Sequence, residues 1–410
     1  MDPDWKALLP HRPLDPGTGN YVSPPAGGGG ERIARWILAE RTTVLVAGPV
    51  GIGKSTELAH AAHLLQSDRA ACLVRLDRFE NMKRVTVEQI LRRITGQLAT
   101  FASTDLAIPL SRNLRTALEH AGIVPSTYTS GPFVGHVINA AGKYAFGIEL
   151  AQRDSLGTFE ASPLTLLNMT IAEVTSASPH RRVTLLLDGL EKMTEGPGIS
   201  EVFEALGMLT DDVDLVTVLP WFLAFGAGPE TTLRAGEHLV ALRAPEVDGE
   251  QGQAGRTFLR QLLAKRLGWP FNAFSPPKPD GIVPTEISTE RLAVFDRAAA
   301  FSGGVPRTFL QLVADAGTYA RMRRKDPWPD TVDLADAVLD QGDSFRRILR
   351  KSDSDAILAV IGDDGRELEF ERKIRLLAHG VMLERLISGA SVLTVHPLVK
   401  PLLGSRVTRA

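Results

Sequence analysis

The sequence predicts an α/β fold class: a three-layer domain built on a parallel sheet, followed by an all-helical lid and a small C-terminal winged helix. Three observations support this prediction. An apolar strand pattern runs directly into a glycine-rich loop at 43–55, strand and helix patterns alternate up to about residue 242, and helical patterns dominate from residue 255 onward. Strands that alternate with helices form a parallel sheet with helices packed on its faces.

The glycine-rich loop carries the strongest chemical signal in the chain. The apolar run Thr43–Ala47 predicts a buried strand, and a helical pattern begins at Ser55 and Thr56. The residues that complete the phosphate-binding pattern are Gly48, Pro49, Val50, Gly51, Ile52, Gly53, Lys54 and Ser55. In this pattern glycine amides surround the phosphates, the lysine contacts the β and γ phosphates, and the serine hydroxyl binds Mg²⁺. A chance glycine-rich turn is the alternative, but the strand–loop–helix context argues against it. The sequence therefore predicts a P-loop NTPase that binds ATP/ADP and Mg²⁺, with the choice between ATP and GTP left open.

Composition limits the classes of protein that fit. A chain of 410 residues is long enough for two or three domains at roughly 150 residues each. The formal net charge of −2 provides no overall positive field for nucleic acid. The single cysteine, Cys72, excludes a disulfide framework, and no apolar run approaches the roughly 18 residues of a membrane span. Together with an acidic N-terminus, these features predict a cytoplasmic protein without membrane contact.

Periodicity places the elements along the chain. Strands are expected at 43–47, 71–77, 183–188, 213–219 and 238–242, and the helices around them at 31–40, 55–65 and 86–101. The lid is expected from helices at 256–267, 288–301, 306–322 and 331–349, and the winged helix from a hairpin-like turn at 387–391 that leads into a strand at 392–395.

These elements suggest four segments. The predicted boundaries are an extended N-terminal arm at 1–30, a P-loop core at 31–250, a helical lid at 251–350 and a winged helix at 351–410. The core is interrupted by a glycine-rich stretch at about 102–160, which is interpreted as a packed helical insertion because polar residues break its apolar runs.

A second motif supplies the carboxylates that a P-loop requires. Asp188 ends an apolar strand, where a carboxylate can hold Mg²⁺ through its water shell, and it is predicted to be a metal ligand with Ser55. The residue after it is Gly189, so Glu191 is the available general base. The alternative for Glu191 is a helix-start acid favoured by the helix dipole. Many ATPases place this glutamate directly after the metal aspartate, whereas Glu191 lies two positions further on, and this displacement suggests slow hydrolysis.

These residues, together with the turn Ser302-Gly303-Gly304-Val305-Pro306-Arg307, give the chain a resemblance to the AAA+/STAND group of signalling ATPases and to the origin-recognition-like ATPases. The resemblance covers roughly 30–405. It implies that Arg307 contacts the γ phosphate from the lid, that His396 of the winged helix opens the final helix and contacts a diphosphate, and that a base-contacting segment lies near Tyr21. The alternatives are a solvated arginine and a structural histidine.

The resemblance is incomplete at two positions. The fourth strand lacks the usual Asn or Arg of the first sensor, where Thr217 is the only polar substitute. An arginine that acts across a subunit boundary would be Arg234 or Arg243, and the sequence does not choose between them. Lys54, Arg307 and Glu191 are the predicted catalytic residues.

Two functions follow from these features. The first is a slowly hydrolysing regulatory ATPase, a nucleotide-controlled switch that forms homo-oligomers and acts on a separately encoded effector or sensor, in a setting such as prokaryotic defence. The second is a DNA-associated ATPase of the initiator or transposition-helper type that reads DNA with its winged helix. Its basic clusters at 321–325, 346–351 and 372–375 are interleaved with acids, which favours a solvated helix face. A small-molecule kinase fits less well, because such kinases rarely carry a lid and a winged helix.

Overall fold

The computed structural model describes residues 3–8, 21–40, 42–76, 82, 85–123, 161–193, 197–209, 211–220, 223–224, 238–270, 273–274, 287–360, 368–387 and 390–404. The chain divides into two compact units. The sheet unit comprises Gly29–Ala47 and Leu58–Val240, and the loop–lid unit comprises Met1–Gly28, Gly48–Glu57 and Ala241–Ala410.

The sheet unit is built on parallel strands. Within the described residues, five strands lie in the order β2-β3-β4-β1-β5: β1 Thr43–Ala47, β2 Ala70–Arg75, β3 Val183–Asp188, β4 Val213–Val218 and β5 His238–Ala241. The pairs β2–β3, β3–β4 and β4–β1 are parallel. Every residue of β3 is buried, as expected for a strand that is covered on both faces. The strand before the glycine-rich loop is therefore an interior strand of the sheet.

Helices cover the strands and form the core with them. They are α1 Gly29–Ala39, α2 Lys54–Leu65, α3 Val87–Thr104, α4 Arg112–His120, α5 Pro163–Ala177 and α6 Pro197–Gly207. Helix α3 starts with a reciprocal capping box between Thr86 and Gln89 and packs on α5, α6 and β2. Ile94, Leu98 and Leu185 are fully buried in the core between them. Cys72 is a free thiol in this core, and burial raises its pKa, so it is poorly suited to act as a thiolate.

The lid of the loop–lid unit is a helical bundle. Its helices are α7 Gln253–Arg266, α8 Thr289–Ser302, α9 Pro306–Arg324 and α10 Thr331–Ile348. Phe295 and Phe309 lie in its core. Trp5, from a 3₁₀ helix at Trp5–Leu8, packs in the same core and donates from Nε1 to the carbonyl of Pro327 at 2.7 Å. A Cβ on Gly317 would lie 2.4 Å from that nitrogen, so only glycine leaves room for the indole.

The C-terminal segment has the order of elements expected of a winged helix. Helices α11 Lys351–Val360 and α12 Phe370–Ala378 precede an antiparallel hairpin of β6 Met382–Ile387 and β7 Ala390–Val395, and the short helix α13 Lys400–Gly404 follows. The buried carboxylate of Asp353 on α11 pairs with Arg375 and, at 3.9 Å, with Arg372 of α12. These ion pairs hold the two helices together.

The parallel sheet with flanking helices confirms the predicted fold class. All five strands lie within two residues of their expected bounds. Residues 102–123 of the proposed insertion include the end of α3 and all of α4, while 124–160 lie outside the described residues. Helices α5 and α6 were not predicted.

Two local expectations differ from the structure. Residues Trp5–Leu8 of the expected extended arm form a buried 3₁₀ helix, because two large apolar side chains, Trp5 and Leu8, fill the lid core. The final helix does not open at His396, since 397–399 form a turn and α13 begins at Lys400. The turn is stabilised by the His396 carbonyl, which accepts the Val399 N–H at 2.8 Å. None of the described helices combines the length and the apolar character that crossing a bilayer requires.

Candidate nucleotide-binding site

The phosphate loop has the backbone that its sequence predicts. Gly51 and Gly53 adopt φ values of +84° and +106°, in the left-handed region that glycine tolerates best. The carbonyl of Gly53 then accepts the N–H groups of Thr56 and Glu57 at 2.8 and 3.0 Å, which starts α2 at Lys54. The first N–H groups of α2 have no carbonyl within the helix to bind, so this end suits phosphate oxygens.

Lys54 is held within its own loop. Its side chain is buried, and Nζ donates to the carbonyls of Gly48 at 2.9 Å and Pro49 at 3.2 Å. Charged phosphate oxygens are stronger acceptors than peptide carbonyls, so a nucleotide can take over these hydrogen bonds. Gly48 itself is tightly enclosed, since a Cβ there would lie 2.9 Å from the Leu242 carbonyl. The Lys54 side chain can therefore exchange its acceptors, whereas a side chain at position 48 would not fit.

The lid contacts the phosphate loop through backbone atoms. The N–H of Arg307, in the first turn of α9, donates to the carbonyl of Gly51 at 3.2 Å. A Cβ on Gly51 would lie 2.8 Å from the Cβ of Arg307 and 3.2 Å from Val305. Gly51 is thus required both for its φ and for the close approach of the lid. The Arg307 side chain is exposed beside this contact.

Tyr21 contacts the helix that follows the phosphate loop. Its hydroxyl donates to the carboxylate of Glu57, at 3.0 Å from Oε2 and 3.2 Å from Oε1. Glu57 lies in the first turn of α2 and is buried. The hydrogen bond attaches the segment around Tyr21 to the helix that follows the phosphate loop.

The carboxyl edge of the sheet carries the second set of predicted residues. Asp188 ends β3 and is buried, and Gly189 turns the chain with φ +105° into a 3₁₀ helix that contains Glu191. Oε2 of Glu191 and Oγ1 of Thr217 are buried and have no hydrogen-bond partner among the described residues. Buried polar atoms are costly to leave unpaired. A water can donate to the Glu191 carboxylate oxygen, and the Thr217 hydroxyl can bond to a water or donate to a ligand oxygen.

His396 is buried beneath an aromatic ring. It is 2% exposed, and its ring centroid lies 5.0 Å from that of Phe345. Nδ1 accepts the N–H of Leu398 at 3.1 Å, so a neutral ring carries its proton on Nε2, which has no partner among the described residues. Burial, and secondarily the charge of Arg385, lowers the pKa of His396 to about 3. The ring is therefore a neutral donor at physiological pH.

The predicted metal ligands are a hydroxyl and a carboxylate, which are oxygen donors of the kind that magnesium takes. The part of the chain that the structure describes holds no cluster of three or more His, Cys, Asp or Glu side chains. A nucleotide-bound magnesium does not need one, because it keeps several waters and takes phosphate oxygens plus one or two protein oxygens. Ser55 of the loop–lid unit carries a hydroxyl and Asp188 of the sheet unit a buried carboxylate, and their pairing at one metal ion stays a prediction.

Comparisons with known proteins give structural similarities only. No family model matches the sequence, and no curated protein matches it. Among solved structures, the chain is similar to a Walker-type ATPase of Pyrococcus abyssi, with a TM-score of 0.48 and 13% identity over 91% of this chain and 95% of that one. It is also similar to the Orc1 protein of Aeropyrum pernix in complex with DNA (TM-score 0.44, 14% identity, 98% of each chain). A third similarity is to RuvB of Thermotoga maritima, a Holliday junction branch migration motor (TM-score 0.37, 12% identity, 92% of this chain and 93% of that one). At these values none of the three assigns a residue or a function to this chain.

The predicted site residues fall in both units. The loop–lid unit contains Tyr21, the loop residues 48–56, Arg307 and His396, and it joins Arg307 to the loop directly. The sheet unit contains Asp188, Glu191 and Thr217. Of the two candidate trans-acting arginines, Arg234 lies outside the described residues. The other, Arg243, pairs with Glu384 at 2.9 Å.

Sequence reasoning missed Glu57 and Glu384. Glu57 follows Ser55 by two positions, but nothing in the spacing indicates that Tyr21 reaches it. Glu384 lies in a strand that the sequence did not predict, 141 residues from its partner Arg243. Met382–Ile387 has two adjacent charged residues between two apolar pairs, so it lacks the alternation that would have signalled a half-buried strand.

Proposed function

We propose that this protein is an ATP-binding, slowly hydrolysing regulatory ATPase that works as a nucleotide-controlled switch. The observation that carries the proposal is the hydrogen bond from the Arg307 N–H to the Gly51 carbonyl. It makes the phosphate loop the N-terminal cap of a lid helix. A loop that changes shape with its phosphates then changes the capping of α9 directly.

The loop and sheet residues have separate roles in this proposal. Lys54 binds the β and γ phosphates, Ser55 and Asp188 hold Mg²⁺, and Tyr21 lies near the base. When bound, Mg²⁺ neutralises charge on the phosphates that are transferred. Glu191 orients and deprotonates the attacking water, assisted by Thr217 as the first sensor. Because Glu191 sits in a 3₁₀ helix one turn beyond Asp188, turnover is expected to be slow.

The lid and the C-terminal segment distinguish the two nucleotide states. The exposed guanidinium of Arg307 is available to the γ phosphate of ATP, and the Nε2 proton of His396 suits a phosphate oxygen of ADP. A ligand shifts a conformational equilibrium only through different contacts in the two states. Two donors that prefer different phosphates satisfy that requirement.

The proposed partners are other copies of this chain and a separately encoded effector or sensor. ATP would open the lid for self-assembly, and ADP would keep it closed. A prokaryotic defence system is the setting suggested by the resemblance to STAND ATPases, and a gene neighbourhood that encodes an effector would support it. This part of the proposal rests on the resemblance rather than on a contact.

Size-exclusion chromatography tests the switch. The protein is loaded with ADP or with a nonhydrolysable ATP analogue, each with Mg²⁺, and compared with Lys54→Ala as the control that does not bind nucleotide. We expect earlier elution of the wild-type protein with the analogue only. Identical elution in both nucleotides, with binding verified separately, would reject nucleotide-driven assembly.

The DNA-associated alternative is less favoured. Arg372 and Arg375 of α12, the helix before the hairpin, both pair with Asp353. Arg323 and Arg324 of the largest basic cluster pair with acids of α10 and its cap, among them Asp333. Cations that are already neutralised release fewer counterions from DNA, so binding would be weak.

A further inference from the structure

The C-terminal hairpin is attached to the segment that follows β5. The N–H of Ala244 donates to the carbonyl of Glu384 at 3.3 Å, and Ala244 forms a parallel bridge with Arg385. The contact joins residues about 140 positions apart within the loop–lid unit. We refer to residues 243–248 as the docking segment.

Two ion pairs of opposite polarity flank this backbone contact. Nε of Arg243 lies 2.9 Å from Oε1 of Glu384, and both Nη atoms of Arg385 lie 3.0 Å from Oδ2 of Asp248. Glu384 and Arg385 are 7% and 5% exposed. Charges this buried are costly unless they are paired. The hairpin thus presents an acid next to a base, and the docking segment presents the complementary base and acid.

An apolar cluster connects the same contact to the phosphate loop. Ala244, Val305 and Leu383 are buried against one another, and Ile52 of the loop packs on them. The lid turn fits tightly, because a Cβ on Gly303 would lie 2.8 Å from Leu383 and 2.9 Å from Pro397. Loop, lid turn, docking segment and hairpin therefore meet at one point.

We propose that this charge-matched contact is a latch that holds the hairpin closed against the loop and lid, and that Ile52 transmits movement of the phosphate loop to it. The response to nucleotide rests on the proposed function, whereas the latch itself does not. In the closed arrangement Arg243 is bound by its own chain. A role for Arg243 at a neighbouring subunit therefore requires the latch to open first.

Charge reversal tests the latch in the nucleotide-free full-length protein. The variants are Arg243→Glu, Glu384→Arg and the double variant, and the readout is hydrogen exchange of the amides of 382–395. Each single variant places like charges together, and we expect exchange to accelerate about threefold to tenfold. The double variant restores opposite charges and is expected to return exchange toward the wild-type rate. Failure of the double variant to recover would overturn the latch.

A control and a milder variant keep the test decisive. Arg346→Glu makes the same charge change at an exposed pair with Asp343, and it should leave the hairpin unchanged. Asp248 is 56% exposed, so Asp248→Asn removes one partner with little risk to folding. It should accelerate exchange at least about twofold. If the amides of Asp248→Asn exchange no faster than those of the Arg346→Glu control, the proposal is also overturned. Addition of ADP or an ATP analogue then tests the switch separately, since the variant effects are measured without nucleotide.

Discussion

The backbone N–H of Arg307 donates to the backbone carbonyl of Gly51 at 3.2 Å. An N–H in the first turn of a helix has no acceptor within that helix, and Pro306 before it has no N–H at all. Val305 at the N-cap makes no side-chain cap hydrogen bond. The phosphate loop therefore supplies the acceptor that α9 lacks. This contact between loop and lid is made by backbone atoms, so it does not require the arginine side chain.

The two loop glycines differ in what surrounds them, which gives a matched pair of variants. Alanine at Gly53 meets nothing within 4 Å and pays only for its positive φ, about 1 kcal/mol. Alanine at Gly51 has a similar φ and also meets Arg307 at 2.8 Å, which adds about 1–3 kcal/mol. Chemical denaturation without nucleotide should show Gly51→Ala as the more destabilised protein. Equal stability of the two variants would mean that a Cβ at position 51 does not clash with the lid.

Variants of two residues should distinguish nucleotide binding from hydrolysis. Lys54→Ala removes the buried ammonium and should abolish binding of a fluorescent ATP analogue. Glu191→Ala should retain binding, because its proposed role is in water activation and not in phosphate binding, and should lose hydrolysis by about 100-fold or more if it is the general base. Glu201→Ala, an exposed acid on α6, is the control. Hydrolysis at the wild-type rate in Glu191→Ala would remove that residue from the mechanism.

The buried His396 predicts a pH dependence of stability. Its pKa is lowered from 6.5 to about 3, so below about pH 6.5 the unfolded chain binds a proton that the folded chain does not. The contribution of His396 to stability is therefore complete above pH 6.5 and is lost as the pH falls toward 3, at up to about 1.4 kcal/mol per pH unit. His396→Asn keeps an acceptor for the Leu398 N–H but does not titrate. Between pH 6.5 and 5 the free energy of unfolding should fall more steeply in the wild type than in His396→Asn, and parallel curves would contradict the prediction.

Binding to duplex DNA should be weak. Because Arg372 and Arg375 are engaged by Asp353, we expect no retention of the protein on immobilised duplex DNA at about 0.15 M salt. Retention that falls steeply with rising salt would instead favour the DNA-associated alternative. Asp353→Asn removes the carboxylate charge that binds the two arginines. If α12 can contact DNA, this variant should be retained more strongly than the wild type.

Much of the fold could be predicted because the strands are continuous apolar runs. Val183–Asp188 is buried throughout, and its composition indicates this without any knowledge of its neighbours. The phosphate loop was equally clear, since its glycines are required by the φ values that they adopt. Helix α5 was missed because its exposed face carries few charges, so that Leu166 and Leu167 do not stand out against their neighbours.

The contacts between distant segments could not be predicted. Nothing in the local pattern indicates that Trp5 fills the lid core or that Tyr21 binds Glu57, because both depend on tertiary packing rather than on periodicity. The ion pairs of the hairpin are similar: Glu384 and Arg385 look like a solvated pair of charges in the sequence. They are buried because they pair with Arg243 and Asp248 of the docking segment, and these contacts are visible only in the structure. The roles of Asp188, Glu191, Arg307 and His396 stay predictions, and the Glu191→Ala variant above tests one of them.

The most direct test is hydrogen exchange at the Arg307 amide, resolved to the single residue. Its protection depends on the Gly51 carbonyl and on no acceptor within α9. With ADP and Mg²⁺ the amide should be protected, and with a nonhydrolysable ATP analogue it should exchange at least about tenfold faster, while the Phe309 amide, which bonds to Val305, stays protected in both. Equal protection of Arg307 in the two nucleotides, both shown to be bound, would contradict the account of the loop and lid as a nucleotide-controlled switch.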